Sequence, residues 1–152
     1  MSPTLARALT RASFLTKLQM RPPNRLANRG IAPMPQSMFL RYGGAEKVSE
    51  LIFALYDRVL ASKRLSPFFA TCDMRRLIEH QTRYISSVMD GSAIYNEDHL
   101  REVHGPLGIG SDDFDEMLEH LRAAMDDRGY HAVDIDDLLR RISGLRRVVV
   151  TN

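Results

Sequence analysis

The sequence predicts an all-α domain, and three observations predict it. Apolar residues recur three and four apart through most of residues 45–146. Glycine and proline fall between these stretches, at Gly43-Gly44, Pro67, Gly91, Gly105-Pro106 and Gly129, where they end one helix and free the chain for the next. No clear strand, internal repeat or Gly-rich phosphate loop stands against that reading.

The elements follow in order. Val48, Leu51, Ile52, Leu55, Val59 and Leu60 make one apolar face, which predicts a helix over 46–61 after the Gly43-Gly44 break. "SPFF" (66–69) interrupts it with a proline and two aromatics. Asp73 reads as the N-cap of a helix over 74–89, with Met74, Leu77, Ile78, Gln81, Tyr84, Ile85 and Val88 on or near one side. Asp90-Gly91 stops it. A short helix then ends at His104, and Leu100, Val103 and Leu107 place that histidine on an apolar stripe. Gly105-Pro106 enforces the end, because the residue before a proline disfavours the α region. Ser111 reads as the cap of a helix over 112–127, with Phe114, Met117, Leu118, Leu121 and Met125 inward and Gly129 as the stop. Asp134 opens a last helix to 146, carrying Ile135, Leu138, Leu139, Ile142 and Leu145. "RRVVVT" then frays or extends it.

Composition narrows the function classes. The 152 residues are one domain's worth, 44% hydrophobic and 26% charged, as in an ordinary globular protein. No apolar run approaches the roughly 18–20 residues that span a bilayer, so no transmembrane segment is expected. A net charge of +2 makes no case for nucleic acid. The single Cys72 rules out an internal disulfide and a Cys-pair metal site, and suits a reducing, cytoplasmic compartment. Its place before a helix N-terminus can lower a thiol pKa, but a partly buried, inert cysteine is the expectation.

Charge divides the chain in two. Residues 1–38 hold six basic residues, from Arg7 to Arg29, and no acid. Residues 39–152 hold 19 acidic against 15 basic residues. The first part reads as a disordered arm or, through Leu5, Leu9, Phe14, Leu15 and Leu18, as an organelle (mitochondrial) transit segment. The remainder is the folded domain.

Three polar residues lie on faces that should be apolar. A buried His104 must hydrogen-bond or bind a metal. Gln81 interrupts the stripe Leu77–Gln81–Tyr84–Ile85–Val88, and an unpaired buried amide costs about 1–3 kcal/mol. Tyr56 follows Leu55, where a phenol at a helix's inner edge wants a partner. Each has a bland alternative: a backbone-bonded histidine, an amide reaching water, a hydroxyl in solvent. Taken together they describe apolar walls with a few placed polar groups, which suits a bound cofactor. A flat, apolar, metal-centred cofactor with one histidine ligand is haem. No Cys-x-x-Cys-His is present for thioether attachment.

"LYDRVLASKRLSPFFATCDMRRLIEHQ" (55–81) with "LREVHGPLGI" (100–109) resembles the truncated haemoglobins of group I. The resemblance runs from about Phe39, through "RYGGAEKV", to about Ile142. It implies a two-over-two helical sandwich around a non-covalent haem b. His104 matches the proximal histidine that ligates iron. Tyr56 matches the distal tyrosine that donates to the bound gas, Gln81 the glutamine that supports it, and Leu77 the apolar gate. Phe69 matches the phenylalanine packed on the haem. His80 matches a position where some members carry a histidine able to become a sixth ligand; a surface or propionate-contacting histidine is the alternative. Arg76 and His80 are candidates to reach the propionates, and Tyr95 and Leu100 complete the cofactor contacts. The chain departs from the family pattern at Asp90-Gly91 and "IYNED", which puts the loop before the proximal helix in doubt.

Three functions are compatible with these residues. The first is reversible binding or transport of dioxygen, with nitric oxide and carbon monoxide as further ligands. The second is a nitric oxide dioxygenase at the same site, served by an external reductase. The third is a haem-free helical interaction or sensor module.

Overall fold

The computed structural model describes residues 35–152, so the expectations for residues 1–34 of the basic arm lie outside the described residues. A short helix, α1 (Met38–Arg41), opens on the Ser37 hydroxyl, which accepts the Leu40 N–H at 3.4 Å. Gly43 follows with φ +92°, and a Cβ there would meet the Lys47 side chain at 2.8 Å. Only glycine turns the chain so tightly into the next helix.

That helix, α2 (Gly44–Ala61), buries Val48, Leu51, Ile52, Leu55, Tyr56 and Val59. The 3-10 turn Ser66–Phe69, with Pro67 near its start, carries the chain to α3 (Met74–Asp90). The Asp73 carboxylate caps α3 by accepting the Arg76 N–H at 3.2 Å, and Gly91 ends it with φ +80°. After an irregular loop comes α4 (Glu97–His104), capped by the Asn96 side chain, which accepts from Asp98 N (2.9 Å) and His99 N (3.2 Å). A 3-10 turn, Gly105–Leu107, follows directly. Then come α5 (Ser111–Asp126), α6 (Ala132–Ser143) and α7 (Arg146–Val149).

The long helices form two layered pairs. α2 packs on α3, α5 on α6, and the pairs meet where α2 crosses α5 and α3 approaches α6. This is the expected two-over-two arrangement. Between the layers Leu51, Ile52, Met89, Met125, Ile135 and Leu138 are fully buried, and burying each contributes about 1.5–3 kcal/mol.

Local details depart from the sequence reading. Gly110 rather than Ser111 stands at the N-cap of α5, and its N–H is taken by the Asp113 carboxylate at 2.9 Å. Asp134 does not open α6, which starts two residues earlier. It is buried, paired with Arg41, and accepts the Tyr42 hydroxyl at 2.6 Å. Tyr42 stacks on Tyr130, ring centroids 4.0 Å apart, and its oxygen accepts the His131 N–H. Asp134 thereby ties α1 to α6, a long-range task that its place in the sequence does not announce. The last helix breaks at Gly144, and the "RRVVVT" stretch forms α7 with Val148 and Val149 buried. Cys72 is exposed rather than partly buried.

Candidate functional site

His104 closes α4, two turns after the Asn96 cap. Its ring Nδ1 lies 2.8 Å from the carbonyl of Leu100, one turn back. A carbonyl oxygen can only accept, so Nδ1 donates, and Nε2 is the nitrogen left to meet a metal. The ring is half-buried. The stripe expected around it is only partly inward: Leu100 is half-buried, whereas Val103 and Leu107 are 50% and 43% exposed. The 3-10 turn after His104 rotates Leu107 out of the helical register that the spacing assumed. Leu100 and Ile109 pack against a small apolar cluster of Phe114, Leu145 and Val149.

Tyr56, Phe69, Leu77 and Tyr84 belong to the main core. Tyr56 is 5% exposed, and its ring meets Phe69 edge-on with centroids 5.6 Å apart. Burial among apolar neighbours pushes its phenol well above the ordinary value, with the Cys72 thiol adding to the effect. The hydroxyl has no hydrogen-bond partner among the described residues. It differs from Thr82 Oγ1, Ser86 Oγ and Tyr130 Oη, which are sealed in without partners. Leu77, Gln81 and Tyr84 share one face of α3 by register, and all three are half-buried.

These two sets meet at Tyr84 and Leu118, which pack against both apolar clusters. Tyr84, Ile109, Phe114 and Leu118 thus connect the surroundings of His104 with those of Tyr56, a connection that motif reasoning passed over. Their apolar periodicity marked Phe114 and Leu118 as inward, but nothing local said which interior they face. Burial raises the Tyr84 phenol pKa, and the nearby Tyr95 adds to it.

The remaining candidates stand at the rim. Arg76 is exposed and pairs with Asp73 at 3.6 Å, within its own first turn. His80 is exposed on α3. Tyr95 is 41% exposed in the loop before α4. Among the sequence candidates, Tyr56 is buried, His104, Leu100, Phe69, Leu77 and Gln81 are half-buried, and Arg76, His80 and Tyr95 are exposed.

A haem suits these walls. The donor set supplies an imidazole with one nitrogen oriented by a backbone carbonyl, the usual arrangement for a metal-ligating histidine. A buried phenol ring whose hydroxyl has no partner among the described residues, and half-buried apolar residues, supply the rest. Two open grooves lie elsewhere: one of about 820 Å³, lined by Met38, Met89, Asp134 and Arg141 among others, and one of about 490 Å³ beside Ser62 and His120. Neither touches His104 or Tyr56. Among the described residues no helix is long and apolar enough to cross a membrane.

Comparison with known proteins gives a consistent result. A family model described as bacterial-like globin matches residues 37–151. A group 1 truncated haemoglobin of Mycolicibacterium paratuberculosis is 29% identical over 117 residues, covering 77% of this chain and 86% of the relative. One from Tetrahymena pyriformis is 25% identical over 113 residues, 74% of this chain and 93% of the relative. The crystal structure of truncated haemoglobin from T. pyriformis in its Fe(III) form superposes with a TM-score of 0.69 at 23% identity, over 77% of this chain and all of that one. The 2/2 haemoglobin of Synechococcus sp. PCC 7002, described with covalently attached haem, gives 0.66 at 23% identity, over 74% of this chain and 94% of that one.

Proposed function

Because this chain belongs to the bacterial-like globin family, whose members bind diatomic gases on haem, we propose that it reversibly binds dioxygen on a non-covalent haem b held by Nε2 of His104. The observation that carries the reading is the 2.8 Å bond from His104 Nδ1 to the Leu100 carbonyl, which leaves Nε2 as the available donor. When bound, the haem supplies a ferrous iron able to take up dioxygen, nitric oxide or carbon monoxide.

The chain's own residues do the rest. His104 is oriented by the Leu100 carbonyl. Tyr56 offers an O–H donor from an apolar wall, where a hydrogen bond to a partly charged acceptor is worth about 1.5–3 kcal/mol. Gln81 adds a second donor on the same side. Leu77 cannot donate and keeps water from that side. Phe69 holds the Tyr56 ring edge-on. Arg76, His80 and Tyr95, at the rim, serve the propionates or stay in solvent, and His80 becomes a sixth ligand only if α3 turns it inward. Without a Cys-x-x-Cys-His sequence, thioether attachment through a cysteine pair is not available to this chain.

A visible spectrum of the purified protein, with and without carbon monoxide, tests the reading. The expected result is a haem spectrum that shifts with the gas and is lost, with the pigment, in His104→Gly. Retained pigment and unchanged gas uptake in that variant would overturn it. The nitric oxide dioxygenase reading uses the same walls and adds a reductase. Sustained nitrate formation with a reductant, beyond one turnover, would favour it. A lone thiol supports a cytoplasmic setting, and mass spectrometry of the native N-terminus tests the organellar alternative.

A further inference from the structure

Resting on the haem reading of His104, we infer that the C-terminal segment Arg146–Asn152 is a strap that positions the proximal histidine. His104 rides on a platform, Glu97–Ile109, with little grip of its own. α4 has eight residues and buries none of them fully, and so short a helix is marginal without tertiary support. Gly105 and Gly108 flank the turn after it, Gly108 with φ +63°.

The strap holds this platform at both ends. At the start, the Arg147 guanidinium grips both carboxylate oxygens of Glu97, with Nη1 to Oε2 at 3.0 Å, and Arg101 joins the same oxygen at 3.1 Å. At the far end the backbone N–H groups of Thr151 and Asn152 both donate to the Ile109 carbonyl, at 3.0 and 3.3 Å. Between the two anchors Val149 is buried in the cluster against which Leu100 and Ile109 pack. The strap is itself fixed to α5: Arg146 lies 4.7 Å over the Phe114 ring and pairs with Asp115. Leu100, whose carbonyl orients His104, thus sits between two points fixed by residues 147–152. The strap acts through the platform and touches no bound group, so Arg147 and Thr151 are positioning residues.

Arg147→Ala and Thr151→Pro, made in the full chain loaded with haem, test this. Val150 is already extended (φ −80°, ψ 122°), as a residue before proline requires, so Thr151→Pro removes the shorter of the two N–H donors to the Ile109 carbonyl. Three readouts apply: haem loss to an excess of acceptor globin, the iron–imidazole stretching band of the ferrous protein, and amide exchange. The ion pair predicts that Arg147→Ala speeds haem loss about two- to fivefold. The stretching band shifts or broadens in both variants, and the amides of residues 99–104 exchange faster while those of α2 do not. Haem loss, band and exchange all matching the parent in both variants would overturn the strap. A parent chain that takes up no haem sinks the reading beneath it, and exchange at residues 99–104 in the haem-free chain then decides the strap separately.

Discussion

A phenol whose ring is buried among apolar side chains, but whose hydroxyl is neither sealed in nor bonded to any described residue, has its O–H free for something else. Tyr56 is that residue. Tyr56→Phe deletes a hydroxyl that no described residue needs, so the melting temperature should change little. If the hydroxyl serves the ligand, dioxygen dissociates about tenfold to a hundredfold faster in the variant. Stopped-flow measurement reads this, with carbon monoxide, a weaker acceptor, as the control. Equal dissociation rates would take Tyr56 out of the ligand's reach. His104, Gln81 and Tyr56 were legible in the sequence because each is a polar residue interrupting an apolar pattern. Cys72 was not, since its exposure depends on how the turn before α3 folds. Nor was Tyr84, whose neighbours come from two different clusters.

Elements were legible where periodicity and punctuation agreed. α2 and α3 end within about two residues of the expected positions, because Gly43-Gly44, Asp73 and Gly91 each use a backbone property that the residue type carries. α4 was harder. Its length and end were readable from Gly105-Pro106, but its inward face was not, because a two-turn helix held by neighbours need not bury its own stripe. Its local stability rests on the Asn96 side chain, which satisfies two N–H groups. Asn96→Ala should cost this end of the molecule about 1 kcal/mol. Faster amide exchange at Asp98 and His99, with α2 and α5 unchanged, is the expected sign.

At the scale of the molecule, buried phenols link the fold to alkaline pH. Burial raises Tyr56, Tyr84, Tyr42 and Tyr130 above the ordinary 10.0, and Tyr130 is pushed up to about 12, with Tyr42 adding to it. In the unfolded chain these groups lose protons near pH 10, while in the folded chain they keep them. The unfolded state therefore gains ground as pH rises past 10. Denaturant midpoints should be flat between about pH 7 and 9 as far as these groups go and fall steadily above 10, and Tyr130→Phe should shallow that fall. The two-layer architecture was readable from four long amphipathic patterns, whereas the pairing of Arg41 and Tyr42 with Asp134 was not, because contacts some 90 residues apart leave no local trace. One architectural fact bears on how the chain comes apart. No side chain of α4 belongs to the main core, so the four-helix frame can close without it. On the reading that His104 holds a pigment, a chain freed of it should keep the circular dichroism and the melting of that frame, with α4 alone loosened.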